Sequence, residues 1–178
     1  MSNIKMTLVN FENLKKFVLN SFLAMGLNKK DAEIFTDALM FSELRFHSGQ
    51  GQGVQRITTY FKRIKNNEVN INSEFEILKE SSSLALVDAK NGIGTIQASK
   101  CMDIAINKAK NEGIGKVIVT NSTHFGSSSV HAVKASKQNC IGIAYTNAGP
   151  EMAPWGSKSG GVGTNPWGIS CPTGKGFP

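Results

Sequence analysis

The sequence has few of the residues that build disulfide scaffolds and zinc sites, and it has no long apolar run. Its three cysteines, Cys101, Cys140 and Cys171, are odd in number and widely spaced, which argues against a disulfide framework and a zinc site. No stretch approaches the roughly 18 apolar residues of a membrane span, and the first residues lack the apolar centre of a signal peptide. We therefore expect no bound metal, no membrane partner and a reducing compartment, the cytoplasm.

Charge of one sign is also not concentrated anywhere in the chain. The net charge is +7, but the lysines are scattered and form no block of like charges. This pattern suits either an ordinary solvated surface or a fold that binds small anions such as phosphates and carboxylates. No basic stripe interleaved with aromatic residues is present, so we expect no nucleic-acid partner.

The chain has two regions that differ in the spacing of their apolar residues. In the first, apolar residues recur at spacings of three and four, which predicts helices that begin near Asn10 and Asn28, and a third over about residues 54–65. Further on, short strands alternate with helices. The pattern predicts an α/β fold: a helical N-terminal segment, residues 1–73, followed by an α/β sheet domain, residues 74–178.

Several glycine-rich stretches resemble phosphate-binding loops, but none fits the P-loop or the dinucleotide fingerprint of Rossmann folds. Two of the glycines, Gly94 and Gly113, instead mark the two ends of a predicted helix. The stretch "SGGVGTNPWG" is the best candidate for a ligand loop, because glycines let the backbone approach a ligand closely. Thr164 and Asn165 add hydrogen-bonding side chains within it.

Polar side chains follow two predicted strands. "VIVT" is followed by Asn121, Ser122, Thr123 and His124, and "IGIAYT" ends at Thr146 and is followed by Asn147. Ligands of open α/β sheets bind beyond the carboxyl ends of the strands. His124 therefore has two interpretations: a structural histidine that caps a helix or bonds within the core, or a general acid that orients substrate. His131, inside the next helix, is predicted to be structural or on the surface.

Residues 121–171 carry four motifs, "NS-x-HFG", "IG-x-A-x-TNA", "APWG" and "GTNP". With them the chain resembles the malate/L-lactate dehydrogenase family, a group of non-Rossmann 2-hydroxyacid dehydrogenases that includes ureidoglycolate and sulfolactate dehydrogenases and diketogulonate reductase. Weaker similarity extends over nearly the whole chain. The resemblance implies an oxidoreductase with its own α/β fold, usually dimeric, that transfers a hydride between NAD or NADP and a small 2-hydroxy or 2-oxo acid.

The resemblance also implies roles for single residues. His124 falls near the nicotinamide and the substrate. Arg56 would hold the substrate carboxylate through two hydrogen bonds, and Tyr60, one helical turn on, faces the same side. The loops along the cofactor contribute Thr146, Asn147, Thr164, Asn165 and Pro166.

The chain departs from the family pattern in two respects. Family members carry Ser-His-Gly-Val-x-Arg, whereas Gln52 precedes Gly53 here and the nearest histidine is His47. Either His47 reaches the site, or Gln52 orients the substrate while His124 does the acid–base work, since glutamine is no acid. Family members are also longer, so the resemblance implies a truncated chain. A non-catalytic remnant that binds a partner or a nucleotide is the alternative function.

Overall fold

The computed structural model describes residues 8–45 and 52–176. The chain divides into two compact units, Met1–Asn72 and Ser73–Pro178. The first unit is helical and the second mixes strands with helices. Among the described residues, no helix combines the length and the apolarity that crossing a membrane would require. All three cysteines are free thiols.

Within residues 8–45 and 52–72, the first unit contains three helices, and side chains cap the first two as the sequence predicts. Their bounds are α1 Phe11–Ala24, α2 Lys29–Leu44 and α3 Arg56–Lys65. The Asn10 side chain accepts a hydrogen bond from the N–H of Asn13, and the Asn28 side chain accepts one from Asp31. Each cap satisfies a backbone donor that the helix leaves unpaired. The two predicted helix starts are therefore confirmed.

Aromatic rings form the centre of the first unit. The ring of Phe22 on α1 stacks on Phe35 of α2 with centroids 4.4 Å apart, and Tyr60 of α3 meets Phe35 edge-on at 4.6 Å. All three side chains are buried. Phe17, which the helical spacing also assigns to the apolar face of α1, is instead 61% exposed. The buried stripe of α1 is narrower than its apolar pattern, because only Val18 and Phe22 are buried there.

Over residues 73–176, the second unit contains two small sheets and two helices. Its elements are β1 Glu76–Glu80, β2 Leu84–Asp88, α4 Gly94–Glu112, β3 Lys116–Thr120, α5 Ser128–Ser136, β4 Gly142–Tyr145 and β5 Trp167–Ser170. β2 pairs with β1 antiparallel and with β3 parallel, whereas β4 and β5 form a separate antiparallel pair. The two strand ends selected from the sequence, those of β3 and β4, thus belong to different sheets.

Helix α4 has the two boundaries that the sequence predicts. It begins at Gly94, and Gly113 follows it in the left-handed conformation with φ of +83°, a common way for a helix to end. Near its start, Ile96 and the β2 residues Ala85 and Val87 are buried.

The β4–β5 pair is buried on one face only. Toward α5 it presents Gly142, Ala144 and Gly168, and a side chain at Gly142 would overlap the Ala132 carbonyl of that helix. The opposite face, here called the outer face, consists of two cross-strand pairs that are each more than half exposed: Ile143 with Ile169, and Tyr145 with Trp167.

Candidate functional site

Side-chain hydrogen bonds hold the loop that follows β3. The Thr123 hydroxyl donates a hydrogen bond to the Gly92 carbonyl (2.9 Å) and accepts one from the N–H of Gly94 (3.0 Å). Upstream, the Asn121 amide donates to the Asp88 carboxylate at 3.0 Å. The start of α4 and the end of β2 therefore fix the loop immediately before His124.

His124 is half-buried and its ring is oriented by its own loop. Nδ1 accepts a hydrogen bond from the N–H of Gly126 at 3.3 Å, and Gly126 has the left-handed φ of +81°. An accepting nitrogen carries no proton, so the neutral ring holds its proton on Nε2. Nε2–H is therefore the hydrogen-bond donor of the His124 ring.

His131 is a structural residue that contacts the loop, which is one of the two positions predicted for it, and it does not lie on the surface. It lies on α5 with 1% of its surface exposed. Its Nε2 is 2.8 Å from the carbonyl oxygen of Phe125, and the two rings lie 5.1 Å apart. A carbonyl only accepts, so Nε2 is the donor. This contact was not predictable from the sequence, because the spacing of residues in the helix does not show which face the histidine occupies.

The buried imidazole of His131 predicts a dependence of stability on pH. Burial, with a smaller contribution from the charge of Lys134, lowers the pKa of His131 below its ordinary 6.5. Below that value the unfolded chain binds a proton that the native chain refuses, so the free energy of unfolding falls as pH drops through 6.5. The loss is at most about 1.4 kcal/mol per pH unit.

Urea unfolding of the wild type and of His131→Phe at about pH 7.5 and about pH 5.5 measures this dependence. We expect the wild type to lose more stability than the variant on acidification, by up to about 1.4 kcal/mol. Because both proteins contain the same other titrating groups, the difference between their losses of stability is due to His131. Equal losses in both proteins would show that His131 titrates normally.

The predicted cofactor residues lie together where the chain leaves the β4–β5 pair. Thr146 follows β4 and Pro166 precedes β5, and the N–H of Thr146 donates to the Pro166 carbonyl at 3.1 Å. The side-chain oxygen of Asn165 accepts from the N–H of Ala148 at 2.8 Å. Asn147 and Thr164 are exposed beside them.

Two glycines of the loop between β4 and β5 pack against the backbone of the same loop. A side-chain carbon at Gly160 would overlap the Pro150 carbonyl, and one at Gly163 would overlap the Ala148 carbonyl. Glycine is needed at these two positions because one arm of the loop packs directly on the other. Close approach of a ligand is therefore not required to explain them.

Helix α5 brings the His124 loop to the same end of the β4–β5 pair. Gly168 packs against Ser128 at the start of α5, and Ser170 donates a hydrogen bond to Ser136 at its end (2.8 Å). The helix therefore runs parallel to β5, with its first residues beside the end where Thr146 and Pro166 lie. The start of α5, which follows the His124 loop, thus lies at the end of the β4–β5 pair that carries Thr146 and Pro166.

An open cavity of about 400 Å³ adjoins the loop before His124. It is lined by Asp88, Lys90, Asn91, Asn121 and Ser122. Hydrogen bonds from the Lys90 N–H and the Asn121 side chain lower the pKa of Asp88, which stays ionised. The end of β2 is a polar strand end that the sequence interpretation overlooked, although the rule applied to Asn121 would have found it.

The remaining predicted residues belong to the first unit. Arg56 begins α3 and is half-buried, and Tyr60, one turn later, is a member of the aromatic core. Gln52 is half-buried, and the following segment is tied to α2 by a hydrogen bond from the Val54 N–H to Glu43 at 2.8 Å. His47 lies outside the described residues. Among the described residues, no group of His, Cys, Asp or Glu is arranged to hold a metal ion.

These observations define an α/β protein whose polar loops and one oriented histidine meet at strand ends. The family model for malate/L-lactate dehydrogenase matches residues 9–178, and the chain belongs to that family. The resemblance inferred from the four motifs is thereby confirmed.

Named relatives show the same likeness. A malate dehydrogenase of Pyrococcus horikoshii is 35% identical over 162 residues, covering 91% of this chain and 44% of the relative. An L-sulfolactate dehydrogenase of Methanocaldococcus jannaschii is 36% identical over 159 residues, covering 89% and 46%. The crystal structure of malate dehydrogenase from Entamoeba histolytica matches with a TM-score of 0.90 at 34% identity, covering 98% and 48%. The chain spans about half the length of the curated relatives it matches.

Proposed function

We propose that the protein is an NAD(P)-dependent oxidoreductase that transfers a hydride between a nicotinamide cofactor and a small 2-hydroxy or 2-oxo acid. The observation that carries the proposal is the family match over residues 9–178, which includes the oriented His124. Relatives named malate and sulfolactate dehydrogenase suggest substrates with a second acidic group. We place the reaction in the cytoplasm.

The exposed loops offer groups that fit a nicotinamide nucleotide. Thr146 and Thr164 carry hydroxyls, and Asn147 and Asn165 carry amides. Asn165 uses its oxygen on Ala148, so its NH₂ group is what it can offer a ligand. We propose that these residues and Pro166 hold the cofactor, NAD or NADP. When bound, the nicotinamide supplies the chemistry of hydride transfer to or from C2 of the acid.

His124 is the proposed proton carrier at the substrate oxygen on C2. Its Nε2–H can donate to the keto oxygen of a 2-oxo acid and stabilise the negative charge that develops there on reduction. Gln52 cannot supply a proton, so its proposed role is to orient the substrate. His47 is the alternative proton carrier.

Arg56 is the proposed partner of the substrate carboxylate, and Arg56→Lys tests it. Lysine keeps the charge but loses the planar fork that binds a carboxylate through two hydrogen bonds. We expect KM for the acid to rise about tenfold, which corresponds to losing roughly 1.4 kcal/mol of binding. The KM for the cofactor stays near the wild-type value in steady-state kinetics.

Arg63→Lys is the matched control, since it makes the same change later in α3 at a residue outside the proposed site. Its KM values should equal those of the wild type. Equal KM for the acid in wild type and Arg56→Lys would remove Arg56 from the substrate site.

The direct test of the function is a spectrophotometric assay of the chain. Malate, sulfolactate and lactate are offered with NAD⁺ and with NADP⁺, and reduced nicotinamide is followed by its absorbance. We expect reduction with at least one pair. No turnover together with measurable cofactor binding would favour the second candidate below.

The second candidate is a non-catalytic protein that binds a partner or a nucleotide. One observation favours it: Gln52 stands where the family has its histidine. Either candidate is compatible with a homodimer, which we propose on the basis of the outer face of β4–β5, since exposed apolar patches mark interfaces. Sedimentation equilibrium of the purified chain measures its oligomeric state, and a monomer at every concentration would contradict the dimer.

A further inference from the structure

One peptide group lies between two histidines. The carbonyl of Phe125 is 2.8 Å from Nε2 of His131, and the N–H of the same peptide, on Gly126, is 3.3 Å from Nδ1 of His124. The two rings are thus joined through a single planar amide, whose two ends cannot turn independently.

The chemistry of the amide fixes the direction of both hydrogen bonds. A carbonyl oxygen only accepts, so His131 carries a proton on Nε2. A backbone N–H only donates, so Nδ1 of His124 carries none. In the neutral rings both protons therefore lie on Nε2, that of His131 in the core and that of His124 on the ring edge opposite the Gly126 N–H.

We infer that His131 is a positioning residue for His124: it holds the Phe125–Gly126 peptide so that the Gly126 N–H meets Nδ1 and keeps the ring proton of His124 on Nε2. For the reaction, the inference rests on the proposed function, because the Nε2–H of His124 matters only if it meets a substrate oxygen. The bridge between the rings does not depend on that function.

The surroundings of His131 suit a fixed donor. The ring is 1% exposed and packs against Phe125, so it cannot turn without leaving the core. Burial and the nearby charge of Lys134, itself paired with Asp103 of α4, keep the ring neutral by lowering its pKa. Hydrogen bonds in series also polarise one another, so donation to the carbonyl strengthens the N–H at the other end.

Nitrogen NMR of the wild-type chain decides the first part of the inference. Long-range proton–nitrogen correlation of ¹⁵N-histidine distinguishes protonated from unprotonated ring nitrogens, and His47→Gln and His124→Asn assign the signals. At neutral pH we expect His131 and His124 each to be protonated on Nε2 alone. A proton on Nδ1 of either ring would overturn the inference whatever the variants do.

Two variants decide the second part. His131→Phe keeps a ring against Phe125 and loses the donor, whereas His131→Gln keeps an N–H donor. We expect His124 to become a mixture of tautomers in the first and to keep Nε2–H in the second. An unchanged His124 in folded His131→Phe would overturn the inference. If His131→Phe does not fold, the wild-type tautomers and His131→Gln decide the question.

Steady-state kinetics of the wild type and the two His131 variants distinguishes a failure of this inference from a failure of the proposed function. If the wild type is active, His131→Phe lowers kcat about tenfold, less than the 10²–10⁴-fold of losing an acid–base group, and leaves the cofactor KM unchanged. His131→Gln recovers most of the rate. A full rate in folded His131→Phe would overturn the inference. The expected tautomers in an inactive chain support the positioning and count against the proposed function alone.

Discussion

Replacing His124 with asparagine is expected to lower kcat at least about a hundredfold, the low end for losing an acid–base group. Asparagine keeps a polar side chain of similar reach, and its amide oxygen can still accept from the Gly126 N–H. It has no ring nitrogen that can carry a proton to or from the substrate oxygen. Steady-state kinetics of the wild type and the variant with the best substrate measures the effect.

The stability of the variant separates a chemical role from a structural one. His124 is half-buried in a loop, so we expect the free energy of unfolding to change by less than about 0.5 kcal/mol. Ser122→Ala, an exposed position in the same loop, is the control and should keep the wild-type rate. A variant that loses stability but keeps its rate per folded molecule would show that His124 serves the fold.

Local features of the fold were predictable because they depend on neighbouring residues. Asn10 and Asn28 cap helices through side chains that reach only three residues along the chain. Gly113 ends α4 because glycine enters the left-handed region at little cost. Such signals lie within a few neighbouring residues, so spacing and residue type were enough to predict where these helices begin and end.

The pairing of strands was not predictable in the same way. β4 pairs with β5 across a loop of twenty-one residues, Thr146–Pro166, and not with β3, although β3 comes before it with a single helix between. Strand ends look alike in sequence whichever partner the strand takes. The partner is selected by packing far along the chain, here by how closely Gly142 and Gly168 let α5 approach.

The candidate site shows the same division. His124 and the residues around Thr146 and Asn165 followed from motifs and strand ends, and their roles stay predictions. His131 was missed because its importance lies in a contact with the Phe125 carbonyl, which only the fold creates. Tyr60 illustrates the reverse: its spacing from Arg56 suggested a shared face, while its ring packs against Phe35.

Gly94→Ala is expected to lower the free energy of unfolding more than His124→Asn does. A methyl group at Gly94 would overlap the Thr123 carbonyl and lie 2.6 Å from that of His124. Both atoms belong to the backbone, so relief requires moving the loop away from the start of α4. Overpacking commonly costs about 1–3 kcal/mol, and a contact with rigid backbone belongs at the upper end. Urea unfolding at neutral pH measures the change.

The same substitution should impair catalysis among the molecules that remain folded. Moving the loop breaks the hydrogen bond from the Gly94 N–H to Thr123 and displaces His124, and a shift of about 1 Å at a reacting group can cost a hundredfold in rate. Gly149→Ala is the matched control, because its new methyl group meets nothing within 4 Å and its φ is not positive. That variant should keep wild-type stability and rate. If Gly94→Ala behaved like it, the start of α4 would not hold the His124 loop as the structure shows.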